Sequence, residues 1–331
     1  MASVAPLLHG DIDDRGGPPA GPTSALRSPG IATRAIRSTG LTKMYGGIRA
    51  VDGLDLDVPR GSITGFVGPN GAGKTTTIRM LLGLIRPSGG SAEVLGENVS
   101  NPAAYLAQVG SLIEGPAFHP ALSGRRNLEV LASLGGHTRA RVDEVLQIVG
   151  LTDRARDRYR TYSLGMKQRL GVAAALLPDP ELLVLDEPSN GLDPAGIIEM
   201  RVLLRSLRER GKTVFVSSHL LGEVEQLADW LVVLDHGRLL FQGPIADLLA
   251  RRETRLRVAG ESPADAEIIA AVARRLGYDA EVADGHVTVG AGPEAAAGLT
   301  RGAMGAGVAL TEIGLERSTL EDSFLTLTGD N

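Results

Sequence analysis

An α/β fold in two unequal parts is predicted by three observations. From Ala35 to about Leu249, short apolar runs of strand length alternate with apolar-periodic helical stretches. One of these strands, Ser62–Val67, runs directly into a glycine-rich turn and then a helical run, Thr76–Leu84. Beyond Thr254 a compact β-α-β-β-α-β succession follows, the order of a small ferredoxin-like α+β domain.

Taken along the chain, residues 1–32 come first, with Gly16-Gly17-Pro18-Pro19, Gly21-Pro22 and Pro29-Gly30 and few large apolar groups. Burial there would not offset the entropy of ordering, so this segment reads as a disordered tail. Residues 33–250 form the main domain, ending before the charged Arg251-Arg252-Glu253. Residues 251–331 form the accessory domain. Its expected elements are a strand (Arg255–Val258), a helix (Ala264–Leu276), a hairpin about Asp284-Gly285, a helix (Glu294–Met304) and a strand (Val308–Ile313). A last helix, Leu320–Leu327, is expected to dock its Leu and Phe324 face. Nothing in residues 254–331 has the spacing of a chemical site, so a structural or regulatory module is the plain reading.

The chain has 331 residues, of which 43% are hydrophobic and 22% charged, a globular mix that argues against wholesale disorder. No run approaches the 18 or more apolar residues of a membrane-spanning helix. The net charge of −5 gives little reason to expect nucleic acid as the main partner. There is no cysteine, which excludes disulfides, thiolate metal sites and cysteine nucleophiles and fits a reducing compartment. The first 29 residues lack the basic start and apolar core of a secretion signal.

Gly68-Pro69-Asn70-Gly71-Ala72-Gly73-Lys74-Thr75 follows the strand Ser62–Val67 and matches G-x-x-x-x-G-K-[ST] in strand-to-helix context. Glycines are needed because backbone N–H groups must close around phosphate oxygens without intervening β-carbons, while the helix N-terminus adds its positive end. Lys74 is expected to reach the β- and γ-phosphates, and Thr75, followed by Thr76, to offer its hydroxyl to Mg²⁺. Chance supplies such a match roughly 0.01 times in a chain of this kind.

Glu181-Leu-Leu-Val-Leu-Asp186-Glu187-Pro188 is an apolar strand ending in two acids. Alone, such a run is mostly structural. Beside a phosphate loop, Asp186 is the candidate to hold Mg²⁺, directly or through water, and Glu187 to orient or deprotonate the attacking water.

Between these elements lies Tyr162-Ser163-Leu164-Gly165-Met166-Lys167-Gln168-Arg169-Leu170. It resembles the signature sequence of ATP-binding-cassette (ABC) ATPases, which implies a phosphate-loop cassette with a RecA-like core, a β-subdomain and a helical signature subdomain over roughly residues 36–249. A Ser-x-Gly turn at a helix start can present N–H groups, a hydroxyl and a dipole to an anion. In the family that anion is the γ-phosphate held by the other subunit, which places Ser163, Gly165 and Met166 at the nucleotide. Tyr45, in Lys43-Met-Tyr-Gly-Gly47, resembles the aromatic residue that stacks on adenine. Ser189-Asn-Gly-Leu-Asp193 resembles the loop along the dimer interface, and His219 the switch histidine that contacts the γ-phosphate. The family usually carries glutamine where the chain enters the helical subdomain, reaching Mg²⁺ and the attacking water. Here Val109-Gly-Ser-Leu-Ile-Glu114 places glutamate, adding a negative charge.

Glu114 and the signature together resemble exporters of the bacitracin- and lantibiotic-resistance group. Leu320-Glu-Asp-Ser-Phe-Leu-Thr-Leu-Thr-Gly329 resembles the accessory tail of drug-exporter ATPases, including the daunorubicin-resistance kind. The resemblance implies ATP and Mg²⁺ as cofactors and a head-to-tail dimer with a second copy or a homologous cassette. It also implies a separate transmembrane permease as partner and a location at the cytoplasmic face of the membrane, with drug, peptide or lipid as cargo. Phe118, His119 and Leu122 either belong to a groove receiving a cytoplasmic helix of the permease or simply pack the helical subdomain. The alternative is a soluble cassette ATPase acting in assembly, repair or translation. The chain shows neither the long heptad insertion of the repair relatives nor the paired cassettes of the ribosomal ones. A binding module without turnover conflicts with the presence of both Glu187 and His219.

Overall fold

The computed structural model describes residues 34–115, 117–250 and 254–317. The expected tail, residues 1–32, and the expected last helix, Leu320–Leu327, lie outside the described residues.

The chain begins with β1 (Arg34–Tyr45), β2 (Ile48–Leu54), β3 (Asp57–Pro59) and β4 (Ile63–Val67), then α1 (Lys74–Leu81), β5 (Gly89–Val94), β6 (Glu97–Asn98) and β7 (Val109–Leu112). Next come α2 (Gly124–Leu134), α3 (Arg139–Ile148), α4 (Leu164–Leu176), β8 (Leu182–Asp186), α5 (Pro194–Glu209), β9 (Thr213–Ser218), α6 (Leu221–Glu225), β10 (Trp230–Asp235), β11 (Arg238–Pro244) and α7 (Ile245–Ala250). The accessory part holds β12 (Thr254–Gly260), α8 (Asp265–Arg275), β13 (Ala280–Ala283), β14 (His286–Val289), α9 (Ala296–Gly305) and β15 (Leu310–Arg317).

One sheet has the order β11-β10-β4-β9-β8-β7. Its strands run parallel except for the antiparallel edge β11. Every residue of β4 and β8 is buried, as expected of strands covered on both faces, and this accounts for their unbroken apolar sequence. The parallel register sets Val67 beside Ser218 and Asp186 beside Ser217. The chain therefore leaves three neighbouring strands, β4, β9 and β8, at one level and one end, where open α/β sheets bind ligands. A second, antiparallel sheet has the order β2-β1-β5-β6, with β3 also on β1.

The helices α2, α3 and α4 bury Leu128, Val142, Val145, Leu146 and Leu170 in one cluster that continues onto β8 and α5. Their starts are fixed by side-chain caps: Ser123 accepts from the N–H of Arg126, Thr138 from Arg141 and Ser163 from Met166. Phe118 packs against this cluster, edge-on to Tyr159 at 5.3 Å between ring centres.

The accessory sheet is antiparallel in the order β13-β14-β12-β15, with its own core of Leu256, Val258, Ile269, Val287, Val289 and Leu299. The expected hairpin is present. Asp284 and Gly285 both have positive φ (50° and 77°), the conformation that matches a two-residue turn to strand twist.

Several boundaries differ from expectation. The first helix begins at Lys74 rather than Thr76 and ends at Leu81, because Gly83 turns left-handed (φ 66°) just beyond it. Residues 293–295 form a 3₁₀ turn before α9, whose first position is proline and whose Glu294 carboxylate accepts the N–H of Gly292. Val308 lies in the connection after α9, its N–H donating back to the Ala303 carbonyl. The last strand then starts at Leu310 and runs to Arg317, because its partner β12 extends back to Thr254. No helix among the described residues is long and apolar enough to cross a membrane.

Candidate nucleotide site

The turn between β4 and α1 is held open by its glycines. Gly71 has φ +86° with no atom near its missing side chain, so its backbone, not its surroundings, requires glycine. Gly73 has φ +99°, and a β-carbon there would sit 2.4 Å from the Ala50 carbonyl oxygen on β2. Pro69, Asn70 and Gly71 are exposed, while Gly68 and Ala72 are buried. Thr76 lies in the first turn of α1, partly exposed.

Lys74 is 6% exposed, and its ammonium curls back over the turn, donating to the carbonyl oxygens of Gly68 (2.7 Å) and Pro69 (3.2 Å). Its Nζ also lies 3.6 Å from Glu187 Oε1. Both contacts satisfy a buried charge that would otherwise be costly.

The acids at the end of β8 are joined to this turn by a continuous string of hydrogen bonds. The Thr75 hydroxyl donates to Asp186 Oδ2 (3.0 Å), and the Ser217 hydroxyl donates to Asp186 Oδ1 (2.6 Å). Ser217 Oγ in turn accepts the N–H of Glu187 (2.9 Å), and Glu187 Oε2 meets His219 Nδ1 at 2.9 Å. Glu187 stands in a left-handed conformation, φ 48°, which turns its carboxylate out of the strand toward Lys74 and His219. Lys74, Thr75, Asp186, Glu187 and His219 are thus brought together.

Sequence reasoning missed Ser217. Its signal is positional: it is the residue level with Asp186 on the neighbouring parallel strand. Arg79 was also missed. It pairs with the Glu114 carboxylate, which is 65% exposed on a residue with φ 57°. Glu114 is thus tied to the end of α1, and it lines a surface hollow with Tyr159, Leu164, Lys167 and Gln168, close to the Ser163 turn.

Ser163 caps α4, its Oγ accepting the Met166 N–H at 3.2 Å, and Gly165 lies in the first turn. This turn packs against the loop after Glu187, since a β-carbon at Gly191 would lie 3.1 Å from the Leu164 side chain. Asp193 caps α5, accepting the N–H of Gly196 at 3.0 Å. The Ser163 turn shares no hydrogen bond or ion pair with residues 68–75 among the described residues. Tyr45 ends β1, 47% exposed as a residue, with the Lys43 ammonium 5.2 Å from its ring centre.

A strand, a glycine turn closing on a buried lysine, and strand-end acids one strand further along the sheet, beyond β9, define a phosphate-loop nucleoside-triphosphatase core. The model of the ABC transporter family matches residues 51–190. The chain is 51% identical over 224 residues to the bacitracin transport ATP-binding protein BcrA of Bacillus licheniformis, covering 67% of this chain and 73% of that one. It is 40% identical over 311 residues to the daunorubicin resistance ATP-binding protein DrrA3 of Streptomyces coeruleorubidus, covering 91% and 98% of the two chains. The solved ADP conformation of MJ1267, an ATP-binding cassette of an ABC transporter, has the same fold with a TM-score of 0.61 at 21% identity, over 66% of this chain and 95% of that one. The chain belongs to the ABC transporter family, as an ATP-binding subunit.

Proposed function

We propose that the chain is the ATP-hydrolysing subunit of an exporter, pairing head-to-tail with a second cassette and driving a separate transmembrane permease. The observation that carries this reading is the hydrogen-bonded string Thr75–Asp186–Ser217–Glu187–His219 beside Lys74, at one end of three parallel strands.

In this reading the main chain of Gly68, Pro69, Asn70, Gly71, Ala72 and Gly73 cradles the phosphates, with Thr76 beside them. Lys74 exchanges its bonds to the Gly68 and Pro69 carbonyls for β- and γ-phosphate oxygens. Tyr45, half-exposed, stacks on the adenine. Glu187, held between Lys74 and His219, orients the attacking water and takes its proton, while His219 fixes Glu187 and meets the γ-phosphate.

Thr75 and Asp186 offer a hydroxyl and a carboxylate 3.0 Å apart, an all-oxygen set that fits Mg²⁺. No group of three or more acidic or histidine ligands occurs among the described residues, which suits a cation held chiefly by phosphates and water. When bound, Mg²⁺ neutralises charge on the β- and γ-phosphate oxygens. Glu114 joins Thr75 and Asp186 there only by giving up Arg79.

The Ser163 turn, with Gly165 and Met166, offers its N–H groups to the γ-phosphate of the partner cassette, and Asp193 follows the interface loop. ATP then bridges two chains and its hydrolysis removes the bridge, a difference between closed and open pairs that can move the permease. Separate cores in residues 35–248 and 256–308 support a cassette at 33–250 and an accessory domain at 251–331. The relatives named for bacitracin transport and daunorubicin resistance favour export of a drug, peptide or lipid, with the chain held at the cytoplasmic face of the membrane by its permease.

The test is a mild-detergent pull-down of the tagged chain from native membranes, with ATP turnover measured on the recovered material. A polytopic membrane protein near equal stoichiometry, with turnover well above that of the chain alone, is expected. Recovery solely with ribosomes, DNA or assembly factors would instead favour a cassette ATPase without a permease.

A further inference from the structure

The glycine turn after β4 leans on an element that has no part in the function proposed above, the tip of the β10–β11 hairpin. Asp235 and Arg238 pair across that tip, leaving His236 and Gly237 as a two-residue turn with positive φ at both positions (44° and 79°). The Gly237 N–H donates to the carbonyl of Ala72, inside the glycine turn, at 3.0 Å. The Gly237 carbonyl in turn accepts the N–H of Asp52 on β2 at 2.9 Å. The fit is close throughout. A β-carbon at Gly237 would stand 2.9 Å from the Ala50 carbonyl oxygen, the same atom that crowds Gly73, and one at Gly68 would stand 2.3 Å from the Leu234 carbonyl oxygen on β10.

Asp52 also fastens the tip through its side chain. Its Oδ2 accepts from Arg238 Nε (3.0 Å) and lies 2.8 Å from Arg238 Nη2, while its Oδ1 accepts from Arg49 (2.8 Å). The carboxylate is 17% exposed, and the two guanidinium groups, Arg238 first, hold its pKa below the ordinary carboxylate value. Gly237 is therefore gripped twice by Asp52, once through its own carbonyl and once through the side chain of the residue that follows it.

The Ala72–Gly73 peptide is trans, so its carbonyl and its N–H point in opposite directions. With the carbonyl turned to Gly237, the Gly73 N–H is turned away from the hairpin, and it donates to no acceptor among the described residues. A peptide free to flip could set its carbonyl where that N–H stands, and a carbonyl oxygen repels phosphate. The bond from Gly237 selects the orientation that attracts it.

We propose that Asp52 is a positioning residue that holds the hairpin tip on the glycine turn and so keeps the Gly73 N–H available to a nucleotide phosphate. The proposal rests on the reading that residues 68–73 cradle the phosphates of ATP.

The test is ATP binding by the full-length chain with Mg²⁺, followed by isothermal titration, with turnover measured on the same variants. Loss of one hydrogen bond to a charged group weakens binding about tenfold or more, and loosening one is expected to cost about fivefold. Asp52→Ala should therefore raise Kd about fivefold and KM by the same factor, with kcat within about twofold, because the bond serves ground and transition states alike. A merely structural role would lower the unfolding midpoint and leave Kd unchanged. Arg238→Ala breaks the same tie from its other side and should match Asp52→Ala, the double variant binding no more weakly than the worse single one. Arg49→Ala leaves that tie in place and should stay within about twofold of the parent. Gly237→Ala pushes the tip away from Ala72 and should cost about tenfold. The proposal is overturned if Asp52→Ala and Gly237→Ala bind ATP as the parent does while Lys74→Ala binds none. Equal damage from Arg49→Ala and Arg238→Ala overturns it too, as do single effects that multiply in the double variant or a fall in kcat at unchanged KM. Parent-like binding by Lys74→Ala is a different failure: it removes the phosphate-loop reading and this proposal with it.

Discussion

Replacing Ser217 by alanine removes a hydroxyl that holds both strand-end acids, and its cost follows from the two bonds it makes. Ser217 is fully buried, donates to Asp186 Oδ1 at 2.6 Å and accepts the Glu187 N–H at 2.9 Å. A hydrogen bond to a charged group is worth about 1.5–3 kcal/mol, and the orphaned N–H adds about 1 kcal/mol, for a loss of about 3 kcal/mol. The assay is urea unfolding followed by fluorescence. The chain has one tryptophan, Trp230, which opens β10 level with Thr64 of β4. Its emission reports the parallel sheet and is blind to the accessory domain. With a urea dependence of about 2 kcal/mol/M, the midpoint should fall by about 1.5 M. A fall of less than about 0.3 M would refute the assignment of Ser217 as the bond that joins Asp186 to Glu187.

Three further outcomes are expected. Lys74→Ala should abolish the stabilisation that ATP confers, which for the parent chain at a hundred times Kd is about 2.7 kcal/mol; an unchanged shift would mean that Lys74 does not meet the nucleotide. Ser163→Ala removes the α4 cap and should cost about 1 kcal/mol in stability, while turnover falls far more than that loss explains. Stability loss with normal turnover would reduce Ser163 to a cap. Glu114→Gln should raise the Mg²⁺ concentration for half-maximal turnover, because a negative charge is withdrawn; no change would leave Glu114 as the partner of Arg79 and nothing more.

The phosphate loop was legible in the sequence because its function needs contiguous residues: glycines for left-handed main chain, then a lysine and a hydroxyl at the helix start. The buried strand before Asp186 was legible for a related reason, since burial on both faces demands an unbroken apolar run. Ser217 was not legible, because its part comes from strand register, and nothing in Thr213–Ser217 states which residue lies level with Asp186. Arg79 was hidden in the same way, meeting Glu114 across 35 positions of sequence. The boundaries of α9 and β15 shifted because local bonds, Gly292 N–H to the Glu294 carboxylate and Val308 N–H to the Ala303 carbonyl, decide them rather than hydrophobic period.

In the proposed pair, ATP bridges two copies of the cassette, the phosphate loop of one facing the Ser163 turn of the other. The decisive assay is the light-scattering mass of the full-length Glu187→Gln chain with Mg²⁺ and either ATP or ADP, since a variant lacking the proposed base is expected to bind ATP without consuming it. The chain of 34.6 kDa should double in mass with ATP and remain single with ADP. A mass that stays at one chain with saturating ATP would contradict the claim.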